Sequence, residues 1–389
     1  MARFDHSAPG VGEVIHDRTA ELRERCPVAR SDAHGGFHVV TRARDIRQVA
    51  TDDATFSSAV EGLGATMALP TPEGVSAPLF DSDRPEHTRW RRVMRPFFSR
   101  DAAARHEPYI RSVARGVLAD LRPRGEADLV ADFAAVVPPL VTAALLGVPG
   151  DRREEFSALA RELFTSTPAG SAHRPAGLLL ELIRARRGEA EHRPARGAVD
   201  HARVRDHDVD DDALLKHAVM MVAAATLTTA DTIANTALVL GTRPELRQRV
   251  LADPALIPAL VEESVRHESA VAATGRTVRR ATALAGVPLR RGDRVLLLWG
   301  SGNRDADLFP DGDVFRLDRP RPDRHLGWGA GPHRCLGVHL ARLQLRVVVQ
   351  ELLAALPDFE PVPGYRAERT FGALRGLRAL PVRWSVTAG

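Results

Sequence analysis

Trp328-Gly329-Ala330-Gly331-Pro332-His333-Arg334-Cys335-Leu336-Gly337 is the stretch on which the reading of this chain turns. Its glycines specify a tightly folded loop that other groups can approach closely, and Cys335 falls just before a helical pattern begins. The unsatisfied N–H groups and positive dipole end of a helix N-terminus, with Arg334 alongside, favour thiolate over thiol. A thiolate can serve as nucleophile, redox thiol or metal ligand, and a lone cysteine can also be a small core hydrophobe. The other cysteine, Cys26, is remote and N-terminal. Neither a redox pair nor a zinc-type ligand spacing is present. What remains is a one-thiolate site in a glycine loop.

Working outward, 389 residues with two cysteines describe a globular protein without a disulfide scaffold. Lys216 is the only lysine, so arginine supplies nearly all the positive charge, yet the net charge is only +4. Arginines are interspersed with acids and aromatics make up 5%, which argues against a nucleic-acid groove. Residues 1–20 hold no apolar stretch of signal-peptide length. The richest apolar run, Ala218 to Leu227, is too short to span a bilayer. The expectation is a cytoplasmic protein without a membrane anchor.

Two β-prone runs stand out, Phe37 to Val40 and Arg294 to Trp299, and most of the remainder has helical period. A long helix is signalled at its start by Asp210-Asp211-Asp212 and at its end by Gly241 and Pro244. Roughly thirty residues make about 45 Å. Its apolar residues lie on more than one side, as for a helix crossing a protein interior. A second helix is expected from Asp253-Pro254, carrying Glu262, Glu263 and Arg266. A third is expected from about Gly337 to Leu356, with Leu340, Leu343, Val347 and Leu352 as its buried stripe. Long Pro/Gly-rich loops are expected at Gly62 to Pro78 and Thr167 to Gly177, and a charged stretch at Arg186 to Asp212.

The Trp328–Gly337 loop resembles the haem-binding signature of the cytochrome P450 monooxygenases, and further matches follow in that family's order from about Val28 to Trp384. The resemblance implies a mainly α fold with a small β region, a triangular helical body around a long central helix. It implies one domain over residues 1–389 with about 1–27 as an extension. By the same resemblance Cys335 is the proximal ligand of the iron of haem b, iron protoporphyrin IX. Trp328 takes a position usually given to phenylalanine, either as simple aromatic-for-aromatic packing or with its indole N–H near the sulfur, where it would draw charge from it. Glu263 and Arg266 resemble the family's Glu-x-x-Arg pair, which ties its helix to the loop ahead of the cysteine. Residues Phe309 to Arg319 resemble the irregular stretch leading there.

Two haem carboxylates need charge-assisted donors, and His87, Arg91, Arg276 and His333 occupy the matching positions. Gly329 and Ala225 complete the expected haem contacts. In the central helix, Ala224, Ala225 and Thr228 align with the oxygen-activation segment, where Thr228 would support proton delivery and could bond a carbonyl one turn back. The family's acid before that threonine is Leu227 here, which cannot relay a proton. Water with Thr228, a substrate group, or a reaction with other proton demands would fill the gap. Asp231 lies three residues beyond Thr228. Ala224, Leu227, Val271 and Phe371 are expected to line an apolar pocket together with the Gly62 to Pro78 loop.

The implied activity is oxidation of a hydrophobic small molecule, a bacterial secondary metabolite, with O2. No fused flavin or ferredoxin module is expected, and the implied electron source is a separate ferredoxin and ferredoxin reductase docking on Arg92, Arg95, Arg334 and Arg342. Leu227 motivates two alternatives: oxidative coupling without oxygen insertion, and a non-catalytic haem-binding protein.

Overall fold

The computed structural model describes residues 4–6, 8–59, 79–165, 177, 180–181 and 211–386. The expected loops at Gly62 to Pro78 and Thr167 to Gly177 and the stretch Arg186 to Asp212 lie outside these residues, apart from Gly177, Asp211 and Asp212. Ten short strands occur among the described residues: β1 (Val28–Ser31), β2 (Phe37–Val40), β3 (Phe56–Ser57), β4 (Glu126–Asp128), β5 (Ala273–Val278), β6 (Thr282–Leu284), β7 (Val287–Leu289), β8 (Arg294–Leu298), β9 (Glu360–Pro361) and β10 (Pro381–Arg383). Helices dominate the rest. The chain forms two compact units, one of residues 1–88, 258–336 and 367–378, the other of 89–257, 337–366 and 379–389.

The first unit is built on a five-stranded sheet of order β1-β2-β8-β5-β3. Both β-prone runs of the sequence form strands in it, β2 and β8, and they pair parallel with Val39 opposite Leu296. The unbroken apolar run of β8 has a physical reason. Val295 and Leu297 join one core cluster with Ile46, Val49 and Trp299, while Leu296 and Leu298 join a second with Phe37, Val39 and Ile15. A sheet buried on both faces has no need of polar alternation. Residues 11–25, read from sequence as part of an extension, form a helix whose Val11, Ile15 and Leu22 belong to that second cluster.

The second unit surrounds the long helix Asp211–Thr242. Its 32 residues span about 48 Å. Ala218, Met221, Val222, Ile233, Ala237 and Leu240 are all buried, on several sides of the axis. Helices Val137–Leu146 and Val338–Ala355 pack against it. At its C-terminal end Arg247 donates to the carbonyls of Leu240 (3.2 Å) and Phe359 (2.6 Å), giving a terminal carbonyl a partner. Within it, residues 215–242 are long and apolar enough to cross a membrane by length and composition, beyond the ten-residue run read from sequence; half of the most apolar window is buried inside the protein.

The expected helix at Asp253-Pro254 begins as a 3-10 turn, Pro254–Leu256, with Asp253 capping Ala255 N, and becomes α-helical over Ile257–His267. The helix after the cysteine runs Val338–Ala355, and Leu340, Leu343, Val347 and Leu352 are buried as expected.

Candidate functional site

The glycine loop closes on itself. Cys335 N donates to the carbonyl of Trp328 (2.8 Å), Gly329 N to Leu326 O (2.8 Å) and Arg334 N to Gly331 O (3.1 Å). Gly331 has φ +67°, and a Cβ there would sit 2.2 Å from the carbonyl oxygen of Ala50, so no larger residue fits. A short 3-10 turn, Gly331–His333, then delivers half-buried Cys335 three residues before the helix Val338–Ala355. Trp328 differs from expectation in one respect. Its indole N–H donates to Glu262 Oε2 (3.4 Å), so the proton expected to draw charge from the sulfur is directed at a carboxylate.

Behind the loop, the Glu263–Arg266 pair that the resemblance implied is part of a larger buried ionic cluster. Glu263 and Arg266 are 1% and 0% exposed and joined by two 2.7 Å bonds. Arg266 also donates to the carbonyls of Asn303 (2.8 Å), Gly312 (2.6 Å) and Val314 (3.1 Å). Arg319, which sequence did not mark as a partner, donates to Glu263 Oε1 (2.9 Å), as does the backbone N–H of Arg316 (2.9 Å). Burial pushes the Glu263 carboxyl up, but the bonds from Arg266 and the others outweigh it and hold it below the usual carboxylate range. The helix bearing Glu263 is thereby tied to residues 312–319.

The residues expected at haem carboxylates divide between the units. His87, Arg276 and His333 are in the first, Arg91 in the second. The rings of His87 and His333 lie 4.0 Å apart, and His87 is 2% exposed. His87 and Arg91 share the helix Glu86–Met94 one turn apart. Arg276 is buried on β5 and donates to the carbonyl of Gly275 (2.6 Å). Burial pulls its pKa down to about 10, against the opposing pull of Asp83 and Asp81, so it stays charged at neutral pH.

In the central helix, Thr228 Oγ1 donates to the carbonyl of Ala224 (2.8 Å), the back-bond expected one turn earlier. Thr232 bonds Thr228 O and Thr236 bonds Thr232 O in the same way (2.7 Å each), a threonine ladder the sequence reading passed over. Ala224, Ala225, Leu227 and Thr228 are all half-buried. Asp231 is half-buried but densely surrounded, and desolvation raises its pKa to about 7. Of the other expected lining residues, Val271 bridges Leu374 and packs on the cluster of Val295 and Leu297, while Phe371 packs on that of Val11 and Ile15.

The model of the family described as Cytochrome P450 matches residues 171–361. Mycinamicin IV hydroxylase/epoxidase of Micromonospora griseorubida is 34% identical over 388 residues, 96% of each chain. The chain belongs to the cytochrome P450 family. Cyclomarin C epoxidase of Salinispora arenicola is 30% identical over 92% of this chain and 95% of that protein. Among solved structures, a mutant of the mixed-function P450 MycG in complex with mycinamicin IV matches with TM-score 0.85 and 32% identity over 99% of both chains. The himastatin hydroxylase HmtN matches at 0.84 and 30%, covering 95% of this chain and 97% of that one. The mainly helical fold with a small β region is that of this family, and the protein is a monooxygenase that uses haem, O2 and a redox partner. Relatives named as hydroxylases and epoxidases do not favour the coupling or non-catalytic alternatives.

The residues present fit the cofactor. A single thiol is presented by a closed glycine loop next to a helix N-terminus. Arg276, a buried cation whose described partner is one backbone carbonyl, suits a haem carboxylate.

Proposed function

We propose that the protein hydroxylates or epoxidises a hydrophobic secondary-metabolite scaffold, as a single-domain cytoplasmic enzyme holding haem b through Cys335 Sγ. The observation that carries this reading is the Trp328–Cys335 closure, which presents one sulfur from a loop that cannot be enlarged at Gly331. When bound, the haem supplies oxygen activation, with the thiolate increasing electron donation toward O–O cleavage. Gly329 and Ala225, as small residues, would leave room for it. His87, Arg91, Arg276 and His333 would hold its two carboxylates through charge-assisted bonds.

Thr228 Oγ1 carries the proton nearest the centre of the helix segment Ala224 to Thr228, and its bond to Ala224 O fixes where that hydroxyl sits. With Leu227 in the acid position, water ordered by Thr228 delivers the proton. The apolar character of Ala224, Leu227, Val271 and Phe371 suits an apolar substrate, in line with relatives named for mycinamicin and cyclomarin. Electrons come from a ferredoxin and ferredoxin reductase, whose acidic surface would meet Arg92, Arg95, Arg334 and Arg342; the first three are exposed. The single-domain reading rests on the interleaving of the two units, each made of three chain segments.

The test is a screen of natural-product scaffolds for a substrate-induced shift of the Soret band. A macrolide or cyclic-peptide scaffold is expected to shift the band and to gain one oxygen on turnover with labelled O2. Turnover of the bound scaffold to a product without the label would overturn the reading.

A further inference from the structure

Away from the haem-binding loop, Asp5, His6 and His34 bring a carboxylate oxygen and two imidazole nitrogens within 4.8 Å of one another. We propose that these three side chains bind a divalent transition-metal ion of the zinc class, which pins the N-terminal segment to the hairpin of β1 and β2. His6 carries the argument. Its side chain is 0% exposed, and neither ring nitrogen has a hydrogen-bond partner among the described residues. Burying an imidazole with both nitrogens unpaired is costly, and a metal bond from one of them removes much of that cost.

The surroundings hold the ligands in place. The His6 ring stands edge-on to Phe37 (centroids 5.5 Å, 87°) and to His34 (5.6 Å, 62°). Phe4, two residues before His6, is buried and accepts a hydrogen bond from Ser31 of β1. His34 occupies the left-handed region at φ 52°, where histidine is tolerated better than most residues. The Arg294 guanidinium donates to the carbonyls of His34 and Gly36, so this cation braces the loop's backbone. Arg30, the other nearby cation, lies 3.9 Å from Asp32.

His34 Nε2 and Asp5 Oδ1 already lie 2.9 Å apart. Ligands at about 2.0–2.2 Å from a tetrahedral ion are about 3.4 Å from each other, so this pair would open slightly and a His6 nitrogen, within 4.8 Å of both, would take the third position. Two imidazoles and one carboxylate select zinc-like ions over magnesium or calcium. Solvent reaches the exposed His34 side, leaving room for a water as fourth ligand.

The experiment titrates Zn2+ into the haem-loaded, chelator-stripped full chain by calorimetry and records the zinc X-ray absorption edge. The parent is expected to bind one equivalent through two imidazoles that His34→Ala no longer binds there, and Asp5→Asn is expected to weaken binding at least tenfold. His34 is exposed and its removal leaves the core intact, so an unchanged carbon monoxide spectrum in that variant certifies the fold. Equal stoichiometry and affinity in parent and His34→Ala, or a zinc shell holding fewer than two imidazoles, would overturn the proposal.

Discussion

At the level of single residues, the protein depends on a few positions where chemistry leaves no choice. Gly331→Ala would place a methyl group 2.2 Å from the Ala50 carbonyl oxygen in a positive-φ conformation. We expect a loss of roughly 2–4 kcal/mol, with reduced haem retention, measured by denaturant unfolding and haem content. Asp231 offers a test by pH. Desolvation raises its folded-state pKa to about 7, above its value in the unfolded chain, so the folded state binds the proton more tightly between about pH 4 and pH 7. Stability attributable to this residue is therefore full in acid and is lost as pH rises through 7. Asp231→Asn should raise the melting temperature relative to the parent at pH 8, and the two should converge near pH 4. A difference that does not vary with pH would show that the carboxyl titrates normally.

At the level of elements, the loop leading to Cys335 is held by a helix it does not adjoin in sequence. Arg266→Ala would leave Glu263 buried with Arg319 alone among its two arginine partners and remove the Arg266 bonds to the carbonyls of Asn303 and Gly312, while Val314 O keeps its bond from Arg319. The expected cost is about 3–5 kcal/mol in thermal or denaturant unfolding. From sequence the pair was visible as a spacing, whereas its third member was not, because Arg319 reaches Glu263 from 56 positions away and its own neighbourhood is rich in turn residues. The central helix was legible end to end, since its caps and all-round apolar character are local properties. On that helix Thr228→Ala removes the hydroxyl bonded to Ala224 O. Product formed per electron donor consumed should fall severalfold, while Thr228→Ser retains most of it; equal coupling in the alanine variant would remove the hydroxyl from proton delivery.

For the whole molecule, the fold class was readable because β8 and the long helices announce themselves through period and because the cysteine loop has few alternatives. The less legible parts depend on tertiary contact. Short strands such as β3 and β9, two residues each, carry no periodic signal. The helix Val11–Arg25 looked like an extension because only packing against the sheet shows its buried face. The direction of the Trp328 indole likewise depends on Glu262, a residue 66 positions distant. What remains most exposed to test is the bond between Cys335 and the haem iron. The ferrous carbon monoxide difference spectrum of the parent should show the red-shifted Soret band of a thiolate-ligated haem, and Cys335→Ala should lose it. An unchanged spectrum in Cys335→Ala, or a parent that takes up no haem when it is supplied, would contradict the account.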